Sequence, residues 1–387
     1  MLKLKIEKVA HGGVFIARHD QKVVFVSGAL PGETVSAKVT QDTKSYLRAE
    51  TLEVLEPSEH RVKHFWKAAL RGAGGAEFGH ISLPYQRVLK TEVLREALSR
   101  MAGIENSVTV EAVPGDDEHN GLRYRTRAQL NVDESGTAGP SKIRTNEIVF
   151  TRDLPLAVKE IEELGLHLKN FNGVEKIRIA SSNTGNLQWM VDKKINGDGT
   201  LIERVSGRTF RLSPGSFWQA HGGAPELLTS CVIDFARELD FNPQKQNLDL
   251  YSGAGLFSAT ISTVFPDAKF LAVESSKQAI EDGEKSAQDL ANLRFHQADV
   301  LKYLRSQTAG TFDTIILDPP RSGAANKVVE QLVRLNPRNL IYVACDPVAL
   351  ARDLKTLGAA GYKLQQIRAF DIFPHTHHFE TVVALSR

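Results

Sequence analysis

The stretch NLDLYSGAGLFS, residues 247–258, runs from a short apolar β-type segment through Gly253 and Gly255 into a segment with helical spacing. That is strand, glycine turn, helix. Glycine is needed at such a turn when a ligand approaches the backbone where a Cβ would collide, and the helix N-terminus offers free N–H groups. Outward from it, LLTSCVIDFAREL, KFLAVES, KQAIEDGEKSAQDL, FDTIILD, VVEQLVRL, NLIYVAC, ARDLKTLGAA and ETVVALS alternate helical periodicity with β-rich runs from about residue 225. Strands separated by helices predict a parallel, doubly wound, Rossmann-like sheet.

Upstream the rhythm differs. Residues 2–10, 14–18, 22–27, 33–40 and 46–55 are short β-type runs divided by turn signals at Gly12-Gly13, His19-Asp20, Pro31-Gly32 and Asp42. They predict a small OB-like barrel, a shape that often holds single-stranded nucleic acid, although such a barrel can equally serve only to pack on its neighbour. After Pro57 and the odd stretch HFWKAALRGAGGAEFGH, Pro84 opens a helix whose apolar face is Leu89, Val93, Leu94, Ala97, Leu98 and Met101. Strand patterns return from about 108 to 212. The expected organisation is therefore an α/β protein with a barrel at 1–57, a central, mainly β domain at 58–212 and the doubly wound domain at 213–387.

The chain has 387 residues, 42% hydrophobic and 24% charged, a balance that excludes disordered, fibrous and membrane-spanning classes. MLKLKIEKVA lacks the apolar core of a signal peptide, so a cytoplasmic location is expected. Net charge is +2, with 31 basic against 27 acidic residues up to position 215 and 17 against 19 after it, which puts any polyanion-binding surface mostly in the first half. The two cysteines, Cys231 and Cys345, build neither a disulfide framework nor an all-Cys metal site.

Four further signals bear on chemistry. Glu274 ends the strand after the glycine loop, where a carboxylate can accept both hydroxyls of a ribose, and Ser258 in place of the third glycine of the dinucleotide fingerprint favours S-adenosylmethionine over NAD. FDTIILDPPRSG, residues 312–323, makes a rigid rim of Asp318-Pro-Pro at a strand end, with Arg321 where amino-directed methyltransferases carry an aromatic residue; a turn that merely ends the strand is the alternative. NLIYVACDP, residues 339–347, puts Cys345 at the end of a third buried strand, where a thiol can attack something bound beside a cofactor, while Cys231 lies on the apolar face of a helix. In FPHTHHFETVVAL, residues 373–385, His375, His377 and His378 crowd one loop with no partner cluster elsewhere in the sequence, so no metal site is expected, and Glu380 is a candidate general base.

In this order, the glycine loop, the strand-end acid, Asp-Pro-Pro-Arg, Cys-x-Pro and a His-rich Glu resemble the RNA uracil-C5 methyltransferase family over nearly the whole chain. The first 57 residues resemble its TRAM barrel, and SFWQAH, residues 216–221, resembles its Ser-Phe-Phe-Gln segment. The resemblance implies that Gln219, Tyr251, Glu274 and Asp318 contact S-adenosylmethionine, with Asp299 a further candidate near the adenine, that Cys345 is the nucleophile and that Glu380 is the base. It also implies a tRNA or rRNA substrate and no obligate protein partner. A nearby cation or local N–H groups should help ionise the Cys345 thiol, and Asp346 should point away from it or be hydrogen-bonded elsewhere. RNA contacts are expected from the barrel and from Arg123, Arg125 and Arg127, whose alternation would put them on one strand face.

The chain also departs from the family. Ala73-Gly-Gly-Ala76 stands where relatives write Cys-Gly-Gly-Cys, and Leu154 replaces the last ligand of their iron–sulfur cluster, so no cluster is expected and Phe65, Trp66 and Phe78 should hold the 65–80 loop. Ala344 and Asp346 replace the more usual Ser and Asn, and Ser252 replaces a frequent Cys. Three other readings remain open at this point: methylation of cytosine at carbon 5, an RNA-binding protein that keeps the fold without catalysis, and NAD-dependent oxidoreduction.

Overall fold

The computed structural model describes residues 1–387 apart from Arg144 and Pro243. Its largest element is an eight-stranded sheet in the spatial order Leu293–Gln297, Lys269–Glu274, Gln246–Leu250, Phe312–Leu317, Asn339–Ala344, Glu380–Ser386, Lys363–Asp371 and Val110–Ala112. The first five run parallel, and Glu380–Ser386 is inserted antiparallel between Asn339–Ala344 and Lys363–Asp371. Phe312–Leu317 and Asn339–Ala344 are buried at every position because helices cover both faces, which is why they read as unbroken apolar runs rather than alternating ones. One face carries Cys231, Phe257, Ile316 and Ile341, the other Leu248, Leu317, Leu332 and Tyr342. Among the described residues no helix is long and apolar enough to cross a membrane.

The N-terminal barrel has six strands rather than five. The run at 2–10 divides into Leu2–Lys5, paired with Thr34–Asp42, and Lys8–Ala10, paired with Val14–His19. The segment bends as it changes partners, with Ile6 N–H donating to the Glu33 carbonyl and Glu7 N–H to that of Ile16. That single bent segment joins the two edges of the sheet. Its interior, with Phe15, Val24 and Val26, also takes in Phe78, Ile81 and Leu89 from the following segment.

A five-stranded antiparallel sheet, ordered Lys194–Gly197, Leu187–Val191, Lys176–Ser181, Arg127–Val132 and Ala138–Gly139, lies between. The hairpin Leu201–Val205 and Arg208–Leu212 sends Leu201, Val205, Phe210 and Leu212 into the same core as helix Ala224–Glu238. Arg208 fixes it there through Asp289 (2.7 Å) and the Ser286 carbonyl (3.0 Å). Helix Leu83–Ala97 and strand Val110–Ala112 likewise pack on the large sheet. Residues 58–212 thus contribute to the barrel core and to both faces of the large sheet besides two clusters of their own.

The loop at 65–80 is held by packing. Phe78 sits against Phe15 with ring centroids 6.1 Å apart, and the Trp66 indole N–H donates to Thr151 Oγ1 and Asp153 Oδ1, each at 3.1 Å. Ala73 and Ala76 lie buried with Trp66, Tyr124, Val149 and Leu156 in a small apolar cluster of their own.

Candidate active site

Parallel strands deliver their carboxyl ends to one edge of a sheet, and connections there form the ligand crevice. Four strands do so here, ending at Leu250, Glu274, Leu317 and Ala344. Tyr251, Gly253, Glu274, Asp318 and Cys345 therefore arrive at a common edge. Glu380 reaches it by the opposite route: it begins an antiparallel strand, and the pairing of Ala344 with Thr381 sets it beside the residue that follows Ala344. All six line a cavity of about 920 Å³, together with Gln219, Arg321, His378 and, from the central sheet, Arg178 and Met190. Phe217 stands at its rim with 71% of its surface exposed.

The two loop glycines serve different purposes. Gly253 has φ +55 and open space where a Cβ would stand, whereas a Cβ on Gly255, at φ +79, would sit 2.8 Å from the Phe295 ring. Gly253 therefore leaves the backbone open at the cavity wall, and Gly255 allows the helix Leu256–Val264 to pack. Glu274 ties the loop down, accepting from Gly253 N–H (3.2 Å) and Ser276 N–H (2.8 Å). Asp249, in the strand below, accepts from Ser258 N–H at 3.0 Å.

The electrostatics of the edge are set by buried acids. Burial pushes both Asp249 and Asp318 up to about 7, and each charge raises the affinity of nearby acids for protons. Glu380 lies well above the usual carboxylate range, first through burial and then through Asp318, with Arg321 opposing. The Cys345 thiol is pushed up to about 12 by burial and by the Glu380 and Asp318 charges, and Arg321 pulls it back. In this arrangement burial and the surrounding acids outweigh the pull of Arg321 on the thiol. Cys231, fully buried in a helix core, is likewise pushed up to about 12, chiefly by burial.

Three expectations need correction. Arg123, Arg125 and Arg127 share no strand face: the strand begins at Arg127, and Arg123 has φ +61. Arg123 pairs with Glu162 and Arg127 with Glu203, while Arg125 donates to the Tyr124 hydroxyl. Asp299 does not line the cavity; it caps helix Val300–Arg305, accepting from Lys302 N–H at 2.9 Å, and acts on the site only through the charge it presents to Tyr251. The histidine loop does find a partner elsewhere, for Glu77, His377 and His378 bring ligand atoms within 4.8 Å of one another. Glu77 and the His377 Nδ1 are 2.7 Å apart, while His375 is committed to Asn120 and Gln86. Asp346 is hydrogen-bonded elsewhere, as expected: its Oδ1 accepts from Val348 N–H (3.0 Å) and Ala349 N–H (2.8 Å), capping helix Pro347–Ala359.

Sequence reasoning missed Asp249 and the part played by Arg321. An acid inside the buried run NLDLY was the available signal for the first, since a buried carboxylate requires a reason. The second was visible only as an aromatic position filled by a cation.

Comparison with known proteins places this geometry among relatives. Residues 193–387 match the family model described as tRNA (Uracil-5-)-methyltransferase, and residues 2–52 match the TRAM domain model. An uncharacterized RNA methyltransferase of Streptomyces avermitilis is 36% identical, over 99% of this chain and 97% of its own length. One from Bifidobacterium longum is 32% identical over 100% of this chain and 96% of its own. Among solved structures, the tRNA (uracil-54, C5)-methyltransferase of Pyrococcus abyssi, in complex with S-adenosyl-L-homocysteine, superposes with a TM-score of 0.76 at 21% identity, covering 99% of this chain and 100% of that one. The fold is shared throughout.

Proposed function

The chain belongs to the tRNA (uracil-5-)-methyltransferase family, and from that premise we propose that it moves a methyl group from S-adenosylmethionine to carbon 5 of a uridine in tRNA or rRNA through a covalent Cys345 adduct. The observation that carries this reading is the juxtaposition of Cys345 and Glu380, brought by adjacent antiparallel strands to one wall of a cavity of about 920 Å³ that also holds Asp318. A thiol facing a buried carboxyl is the pair needed to add to carbon 6 of a pyrimidine and then to remove the proton from carbon 5.

The residues present fit the cofactor. Asp318 is a buried acid that no salt bridge reaches among the described residues, so a cationic sulfonium compensates for a charge that is costly when alone. Gly253 leaves room for a ligand against the backbone, Glu274 offers its carboxylate to a ribose, and Gln219 and Tyr251 complete the walls. When bound, S-adenosylmethionine supplies an electrophilic methyl group on a positively charged sulfur.

The chain's own residues do the rest. As the Cys345 Sγ–C6 bond forms, the C5–C6 π pair shifts towards C5 and O4, making C5 nucleophilic. Once C5 carries the methyl group, Glu380 takes its proton. The C6–Sγ bond then breaks, C5=C6 is restored and the pair returns to the thiolate. Arg321 favours the ionised forms of Cys345 and Glu380 that these steps require, and a cofactor cation held by Asp318 would act in the same direction. A TRAM barrel and the family assignment support RNA as substrate.

Cys345→Ala is expected to bind S-adenosylmethionine by calorimetry and to form no 5-methyluridine, while the unmutated protein traps 5-fluorouridine-substituted tRNA or rRNA transcripts as an adduct stable to denaturing gels. Undiminished turnover by Cys345→Ala overturns the covalent mechanism. Mass spectrometry of the nucleosides missing from the RNA of a deletion strain identifies the base and the position.

A further inference from the structure

The barrel touches the nucleophile's turn at one place. His11 lies in the turn between strands Lys8–Ala10 and Val14–His19, and its Nε2 is 2.8 Å from Asp346 Oδ2, immediately after Cys345. Asp346 is thereby held from two sides, with Oδ1 on the N–H groups of the helix it caps and Oδ2 on the barrel. Two residues on, a Cβ at Gly13 would come within 3.0 Å of the His377 ring, in the segment that leads into Glu380. The same small turn thus abuts the segments that carry both proposed reacting groups. The gap it leaves beside Cys345, Asp346 and His377 is only about 10 Å³, room for one water at most, so the contact is packing and holds no ligand.

We propose that His11 is a positioning residue for the nucleophile, holding the Asp346 carboxylate away from the Cys345 thiol so that the barrel fixes the turn on which the thiol stands. The inference rests on Cys345 acting as described above. The electrostatics agree: the hydrogen bond to Asp346 raises His11 above its ordinary value of 6.5, and although burial pushes Asp346 up, the bonds from His11 and the helix N–H groups hold it below the usual range. Asp346 is one of four charged groups that act on the thiol, the others being Glu380, Asp318 and Arg321, and each of those three is independent of the barrel. With His11 protonated, the Asp346 charge is matched. Without it, a free carboxylate stands next to the thiol and opposes ionisation.

The test needs neither RNA nor cofactor. Cys231 is buried, so iodoacetamide modification of the full-length folded protein followed by peptide mass spectrometry reports Cys345. Its rate as a function of pH is measured for the unmutated protein, His11→Ala, Asp346→Asn and the double variant. Removing His11 is expected to slow alkylation about three- to tenfold near pH 6, an unmatched charge at this depth displacing the thiol by up to one unit. The sign follows from the raised His11 value: the matching charge is fully present below pH 6.5 and fades as pH rises through the folded value, so the two profiles converge at alkaline pH. In the Asp346→Asn background, which keeps the helix cap but has no charge to match, the same His11 change should alter the rate by less than about twofold. Equal effects of His11→Ala in both backgrounds, or none in either, overturn the proposal. Should His11→Ala fail to fold, His11→Phe, which fills the space but removes both donor and charge, is expected to show the same slowing near pH 6. An absent 5-fluorouridine adduct with an intact alkylation cycle counts against the catalytic reading alone; an adduct with a flat cycle counts against the role of His11 alone.

Discussion

Single residues divide the work at the cavity edge more finely than their types suggest. Gly253 and Gly255 look alike in NLDLYSGAGLFS, yet one faces open space and the other Phe295. Gly253→Ala should therefore cost little more than its left-handed strain, about 1–2 kcal/mol, and mainly weaken S-adenosylmethionine binding. Gly255→Ala should lower the melting temperature further, since the Phe295 ring must also move. Paired calorimetric melting and binding measurements separate them. The acids yield to a similar comparison. Asp318 titrates near 7 in the folded chain against an ordinary 3.8, so the folded state holds the extra proton between those values and stability falls as pH rises through them. Asp318→Asn should flatten that slope and raise the melting temperature at pH 7, by about 1 °C for each kcal/mol recovered in a chain of this length, while S-adenosylmethionine affinity drops. A melting temperature unchanged at every pH would contradict the burial argument. Cys345, Glu380 and the strand-end acids were legible because their chemistry depends on position along a strand. The charge state of the thiol was not, because it depends on neighbours that only the fold brings near.

At the scale of elements, alternation of strand and helix was enough to read the doubly wound sheet, since its central strands Phe312–Leu317 and Asn339–Ala344 are buried on both faces and a covering helix such as Asn326–Leu335 is amphipathic. The barrel's opening run carried its bend as a slip in alternation: apolar residues fall at Leu2, Leu4 and Ile6 and then at Val9, with the break at Glu7-Lys8 where the backbone changes partner. The arginine row failed for a related reason. Alternation at 123, 125 and 127 implies a face only if the strand extends that far, and the positive φ at Arg123 stops it. The allegiance of the hairpin at 201–212 was equally hidden, being decided by Arg208 and Asp289, far apart in the chain. Asp299 now offers a discriminating measurement. As a helix cap, its loss in Asp299→Ala should cost about 1 kcal/mol, and S-adenosylmethionine affinity should shift less than about threefold. A much larger loss of affinity at unchanged stability would return Asp299 to the cofactor's surroundings.

Across the whole molecule the modules interlock. Phe78, Ile81 and Leu89 are counted in the barrel's interior although they lie beyond its last strand, Tyr46–Glu56. The buried Lys90–Asp371 pair and the bond from His11 to Asp346 extend that junction into the catalytic half. Removing residues 1–57 would expose three large apolar side chains and leave Asp346 unmatched. The truncated protein should aggregate or melt well below the full chain, whereas a detachable barrel would leave the remaining melting curve intact.

The inserted antiparallel strand bears on how the molecule is made. Glu380–Ser386 fills the gap between two strands that precede it in sequence. Synthesis runs from the N-terminus, so until that segment leaves the ribosome the sheet has an open slot, its flanking strands lack their shared partner, and the thiol has no carboxyl opposite it. A nascent chain can therefore present the proposed nucleophile without the proposed base, and the two come together only as the slot closes.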